Sequence, residues 1–371
     1  MTHNIFDSCV PTFILAGQSN TLGHNIEARD LPPWLRARAA AFEASVVTMG
    51  MNASRCDRWS PFYLERTQEM FCGELKKFGG PGGRNVRGGP GPEAGFAHLM
   101  SAMLPRSAAS TATPRLGLLK AALGGSPIAV WDPRAAEPIA WRLLERAIAA
   151  ARKGVAPCVA FRGLVWMQGE AEAQGLGIQN ADRWGDAFAA LLAAVRRATG
   201  EPNLPAVVGR TVVAVDWRVV PGRPWKSRFQ PFERSASATA VRRAQVAAAD
   251  APHKNVGWVD LDDLPRSAGA HFTAPHYAVM GLRFAAAMLE LMNGGDARAA
   301  ATAAPHRNST AARAFARARV NYGGAFATAT DADPVAPKAP REPAGRKKAS
   351  CAEDLDGCGG PRARRRRRGR G

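Results

Sequence analysis

The sequence predicts an α/β protein built in three layers, with helices on both faces of a central sheet of five parallel strands. Three observations predict it. Five short apolar runs, rich in aliphatic and β-branched residues, recur before residue 295. Strands covered on both faces read in this continuous way, whereas half-exposed strands alternate polar and apolar residues. Between the runs lie stretches with apolar residues at helical spacing, and the two kinds alternate along the chain, as a parallel sheet with helical crossovers requires.

The candidate strands are Thr12–Ala16, Arg115–Ala121, Val159–Met167, Ala206–Val215 and Asn255–Leu261. The candidate helices are Ile139–Lys153, Asp182–Ala198, Ala236–Ala249 and His276–Met292. Two stretches interrupt the pattern and read as loops. Gly79–Pro92 holds seven glycines and three prolines, and Asp216–Ser235 holds two tryptophans among several arginines. Neither is a repeat, and no fixed-period self-similarity is found elsewhere.

With 371 residues, 46% hydrophobic and 22% charged, the chain has material for a sizeable core, which excludes a wholly disordered or coiled-coil protein. The formal net charge is +19, unevenly spread. Residues 296–371 carry 17 Lys/Arg against seven Asp/Glu, and only Phe315, Val320, Phe326, Val335 and Leu355 from the Leu/Ile/Val/Phe set. So little apolar surface does not offset the entropy of ordering a backbone. The expected division is a folded domain over 1–295 and a disordered, Ala/Arg-rich basic tail over 296–371.

No apolar run reaches the roughly 18 residues of a membrane-spanning helix. The run Val10–Ala16 also fails as a secretory signal, because a Gly-Gln-Ser-Asn turn stands where a small-residue cleavage site belongs. The expectation is a soluble, intracellular protein with no membrane contact. Six cysteines (Cys9, Cys56, Cys72, Cys158, Cys351, Cys358) lie far apart with no CxxC pair, so free thiols are expected rather than a zinc site or a disulfide scaffold.

In open parallel sheets ligands sit beyond the carboxyl ends of the strands, so the residues just after each run carry the functional signal. The first run ends in Gly17-Gln18-Ser19-Asn20, which puts a hydroxyl on a tight turn; alone, a local capping role explains such a serine equally well. The second ends in Leu123-Gly124-Gly125-Ser126, where paired glycines let backbone N–H groups approach a reacting oxygen. The third ends in Trp166-Met167-Gln168-Gly169-Glu170, an amide and a carboxylate at the same rim. His271, just before the last helix, is placed to take a proton from a serine at the first strand's end. His276 competes for that role, and its simpler reading is a surface histidine near a helix start. Gln18 and Asn20, flanking Ser19, and Trp131 and Trp166 are the candidate pocket walls, with Gln18, Asn20 and Trp131 the expected substrate contacts.

The blocks Phe13-Ile14-Leu15-Ala16-Gly17-Gln18-Ser19-Asn20, Gly91-Pro92-Glu93 with Phe96-Ala97, Gly124-Gly125-Ser126, Trp166-x-Gln168-Gly169-Glu170 and His271-Phe272 with Gly281 occur in this order. Together they resemble the sialate O-acetylesterase-like domain, a branch of the SGNH hydrolase superfamily that includes the acetyl-xylan esterases of carbohydrate esterase family six. The resemblance spans roughly residues 10–292, and Val241-Arg242-x-x-Gln245 adds a smaller match. It implies a flavodoxin-like sheet and a serine esterase that removes O-acetyl groups from a sugar without metal or organic cofactor. Ser19 is then the nucleophile and His271 the general base, while the Ser19 and Gly125 N–H groups and the Gln168 side chain surround the oxyanion.

Two departures stand out. The superfamily places an aspartate three residues before its histidine, and here that position is Ala268. Glu170 is the first choice for the missing acid, with Asp262 and Asp263 in reserve. Thr21 replaces a common methionine, with an effect expected on packing alone. Ala268 also motivates a second reading: a catalytically impaired hydrolase fold that binds carbohydrate or polyanion. Arg364–Arg368, flanked by Arg362 and Arg370, forms a polyarginine run without interleaved aromatics. Any nucleic-acid or other polyanion contact there would be sequence-blind, and the run also reads as a nuclear-import address. A solvated tail without a partner is the plain alternative.

Overall fold

The computed structural model describes residues 9–23, 26–43, 46–50, 60–61, 89–104, 116–154, 158–173, 178–211, 236–250, 255–264, 266–268 and 271–294. The basic tail, the loop expected over Asp216–Ser235 and most of the glycine-rich stretch lie outside them.

In chain order the elements are strand β1 (Val10–Gly17), the one-turn helix α1 (Ser19–Leu22), α2 (Pro33–Glu43), β2 (Val46–Gly50), β3 (Ser60–Pro61), α3 (Glu93–Met103), β4 (Leu116–Ala122) and α4 (Ile139–Gly154). Then follow β5 (Val159–Met167), the one-turn helix α5 (Glu170–Ala173), α6 (Ile178–Thr199), β6 (Ala206–Gly209), α7 (Ala236–Asp250), β7 (Val256–Val259), β8 (Arg266–Ala268), β9 (His271–Phe272) and α8 (Ala274–Met292). The main sheet runs β3-β2-β4-β1-β5-β6-β7. Five adjacent strands, β4-β1-β5-β6-β7, are the five expected from the sequence. In their own order along the chain they read 2-1-3-4-5, the flavodoxin-like arrangement. They are parallel throughout. The sheet extends further at one edge, where β2 pairs parallel with β4 and the two-residue β3 closes the edge antiparallel.

Alternation along each strand explains the continuous hydrophobicity. In β1, Phe13 and Leu15 enter one core layer with α3 and α8, while Ile14 and Ala16 enter the other with α4, α6 and α7. Side chains of a strand point to opposite faces in turn, so a strand with helices on both sides has no polar face to offer. In β4, Leu116 and Leu118 face the α3/α8 layer and Leu119 and Ala121 the other.

One expectation is overturned below the sheet. Cys9 and Cys158 are disulfide-bonded, with Cα atoms 4.6 Å apart. They stand immediately before β1 and β5, neighbouring parallel strands whose first residues Val10 and Val159 pair in register. The 149-residue separation that argued against a bridge is what a parallel neighbour produces. The other four cysteines lie outside the described residues.

Candidate active site

β1 lies between β4 and β5, and the chain leaves it toward opposite edges of the sheet. That switch in direction opens a crevice beyond its carboxyl end. Ser19 stands there, first residue of α1, after a turn that only glycine fits: Gly17 has φ +143°, and a Cβ at that position would lie 2.0 Å from the Met167 carbonyl oxygen. The turn is tied to both flanking strands. Gln18 N–H donates to Met167 O at 2.9 Å, Leu123 N–H donates to Gly17 O at 2.9 Å, and Thr21 Oγ1 donates to Met167 O at 3.2 Å. Thr21, the residue that stands in place of methionine, thus bonds the end of β5.

His271 arrives from outside the sheet. β8 and β9 form a separate antiparallel pair in which Ala268 faces His271. The His271 Nε2 lies 2.9 Å from Ser19 Oγ, hydrogen-bonded across 252 residues of sequence. Ser19 is 8% exposed and His271 half-buried, so the pair sits at the crevice floor with one side open. Two other histidines are excluded as the base by their surroundings. His276 is buried rather than on the surface as expected, and its Nδ1 shares a hydrogen bond with Thr273 Oγ1, holding the segment that follows His271. His98 on α3 packs edge-on against Trp34, and burial, with Arg38 nearby, pushes its pKa down to about 4.

Of the three expected oxyanion donors, two are backbone N–H groups just past the neighbouring strands β1 and β4. The Ser19 N–H opens α1, where helix amides have no intrahelical acceptor, and it donates to no group among the described residues. Gly125 has φ +68°, a left-handed conformation that costs other residues about 1–2 kcal/mol, and its N–H likewise donates to no described group. The third donor, Gln168, is a correction. Its Nε2 donates to Ser126 O at 3.2 Å and to Glu172 Oε2 at 2.6 Å, and its Oε1 accepts the Trp184 Nε1–H at 2.8 Å. Both amide hydrogens are spent, and the side chain is fully buried. Gln168 braces the turn that holds Gly125 and Ser126 through the Ser126 carbonyl, with no amide hydrogen left to donate. Glu172 shares this work by accepting the Ile128 N–H at 2.6 Å. Burial pushes its carboxyl above the usual carboxylate range, against the opposing pull of those hydrogen bonds.

The three expected substrate contacts are corrected in the same way. Asn20 is fully buried: its Nδ2 donates to Glu170 Oε1 at 2.5 Å, and its Oδ1 accepts the Tyr277 hydroxyl at 2.9 Å. Gln18 is 3% exposed, with its Oε1 receiving the N–H groups of Gly169 and Ala171 at 3.4 Å. Trp131 is fully buried, donates to Ser126 Oγ at 2.8 Å and stands edge-on to Trp166, itself buried. All three belong to the frame of the crevice, not its lining.

Among the acids, the reserve pair is committed elsewhere. Asp263 makes two hydrogen bonds to Arg283, at 2.6 and 2.5 Å, which holds its carboxyl below its ordinary range. Asp262 takes Arg242 and Arg210. Arg242 and Gln245, from the smaller sequence match, both bond Thr211 at the end of β6, and Gln245 Nε2 also donates to Gln168 O at 3.0 Å. Glu170 is buried and accepts from Asn20, the residue after Ser19. No group of three or more His, Cys, Asp or Glu side chains among the described residues is placed to hold a metal ion. No helix among them is long and apolar enough to cross a membrane.

The sequence matches a family described as carbohydrate esterase, sialic acid-specific acetylesterase, over residues 10–290. The chain belongs to this family. As a member of these carbohydrate esterases it is a carboxylic ester hydrolase. Comparison with curated protein sequences returned no match. Among solved structures, a protein from Arabidopsis thaliana is 21% identical with a TM-score of 0.51, over 76% of this chain and 98% of its own, and supports the fold. NanS is 17% identical (TM-score 0.49, 77% of this chain and 98% of its own). A carbohydrate acetylesterase from Xanthomonas citri is 16% identical (TM-score 0.48, 76% of this chain and 56% of its own).

Proposed function

We propose that this esterase removes O-acetyl groups from a carbohydrate-type substrate through an acyl-enzyme on Ser19. The hydrogen bond between His271 Nε2 and Ser19 Oγ is the observation that supports it most. As Ser19 Oγ attacks the acetyl carbonyl carbon, His271 Nε2 takes its proton. The tetrahedral oxyanion accepts the Ser19 and Gly125 N–H groups, a preorganised donor of this kind being worth on the order of 3 kcal/mol of barrier. Collapse breaks the bond to the sugar oxygen, which leaves with the proton from His271. Water then repeats the sequence on the acetyl-enzyme and releases acetate. Glu170 is the carboxylate that balances the imidazolium charge. Its burial beside the nucleophile turn supports that role, as does the engagement of Asp262 and Asp263 by arginines.

In this reading residues 1–295 are the catalytic domain, and the arginine run Arg362–Arg370 adds sequence-blind contact with polyanions. Hydrolysis of p-nitrophenyl acetate by the full chain tests the chemistry. Ser19→Ala and His271→Ala are each expected to lower kcat by roughly 10⁴- to 10⁶-fold. Rates equal to the unmodified chain in both variants would remove the catalytic assignment.

A further inference from the structure

We propose that the buried ion pair Lys120–Glu93 is the positioning element of the nucleophile turn. The inference rests on Ser19 as nucleophile and adds two residues to which the reaction itself assigns nothing. Lys120 lies in β4 opposite Leu15 of β1, on the face where its strand neighbours are Leu116 and Leu118, and only 4% of it is exposed. A doubly covered parallel strand ordinarily carries Val, Ile or Leu at such a place. A buried ammonium is costly unless paired, and burial does push the Lys120 pKa down, with Glu93 pulling it back up. A charge retained at that cost invites the question of what it holds.

It holds the far end of α1. Lys120 Nζ lies 2.7 Å from Glu93 Oε1 and donates to the Leu22 carbonyl at 3.2 Å. Leu22 closes the helix that Ser19 opens, and carbonyls at a helix end have no further helical N–H to accept. The same Glu93 oxygen accepts the Gly91 N–H at 2.9 Å, while the Gly89 N–H donates to Gly23 O at 2.9 Å. The pair therefore fastens β4, the end of α1 and the approach to α3 to one another. The start of the turn is held by backbone bonds to the strand ends, and its finish is held by this charge. β4 ends at Ala122, three residues before Gly125, so the strand that carries the lysine leads into the turn that carries the second proposed oxyanion donor. Lys120 reaches Leu22 O and acts on Ser19 through the turn, as a positioning residue.

A pair that served stability alone would be replaceable by two apolar side chains without loss of rate. The test is the double variant Lys120→Met/Glu93→Met in the full chain, with Glu93→Gln as a milder change that keeps the shape and an acceptor. In the double variant kcat for p-nitrophenyl acetate is expected to fall on the order of 10- to 100-fold, with KM within about twofold of the unmodified chain. Amide exchange at Thr21, Leu22 and Gly23, measured without substrate, is expected to accelerate while β5 amides keep their protection. Glu93→Gln is expected to show the same pattern at about several-fold in kcat. Unchanged kcat together with unchanged exchange in either folded variant overturns the proposal. An unmodified chain without Ser19-dependent acetate release would instead overturn the esterase reading, and the exchange result would still decide whether the pair holds the turn.

Discussion

The two halves of the proposed catalytic pair, Ser19 and His271, are presented by different kinds of structure. Ser19 comes off the middle of the main sheet, where Ser19, Asn20, Thr21 and Leu22 are all buried and bonded to β4, β5, α5 and α8. His271 comes off a two-stranded hairpin outside that sheet and is half-buried. The hairpin is held in two ways: Phe272, next to His271, is buried in the core against Tyr277, whereas Arg283 on α8 bonds Asp263, just before β8, whose side chain is 43% exposed. Burial sets what such ties are worth. A polar group enclosed in the core costs about 1–3 kcal/mol when its partner is removed, whereas an exposed ion pair contributes about 0–1 kcal/mol. Ser19, the proposed nucleophile, is thus fixed by buried polar bonds, whereas His271, the proposed base, depends on buried Phe272 and on an Asp263–Arg283 pair that can change at little cost to stability.

Substitutions on either side sharpen that contrast. Asn20→Ala removes the partner shared by Glu170 and Tyr277, and urea unfolding is expected to show a loss of about 2–4 kcal/mol. A rise in KM with unchanged stability would mean that Asn20 contacts substrate after all. Arg283→Met acts on the other side, where a stability change below about 1 kcal/mol is expected by the same measurement. Its kcat is expected to drop about two- to fivefold as the hairpin loses a tie. A stability loss equal to that of Asn20→Ala would erase the distinction between the two halves.

The sequence made the layers legible because Thr12–Ala16, Val159–Met167 and the other central runs are apolar on both faces. Strand β2 escaped, since Val46–Gly50 is too short to stand out from a loop. α3 escaped for a different reason. Ala94, Gly95, Phe96, Ala97, Leu99 and Met100 are all buried, so the helix has no polar stripe to reveal its period. At the site, the places of Ser19 and Gly125 at the ends of β1 and β4 and of His271 before the last helix were legible, because chain position decides them. Gln18, Asn20, Trp131 and Gln168 were misread because position at a strand end does not say which way a side chain turns. The Cys9–Cys158 bridge needed the order of strands, which no single run contains. Lys120 was in view throughout, a lone charge inside Leu116–Ala122, and a buried acid partner was the inference it invited.

The central claim is that Ser19 is an activated nucleophile, and covalent trapping tests it most directly. The full chain is treated with a fluorophosphonate and the modified peptide is located by mass spectrometry. The account predicts stoichiometric labelling on Ser19 that drops sharply in His271→Ala. Labelling elsewhere, or equal labelling of Ser19 with and without the imidazole, would contradict it.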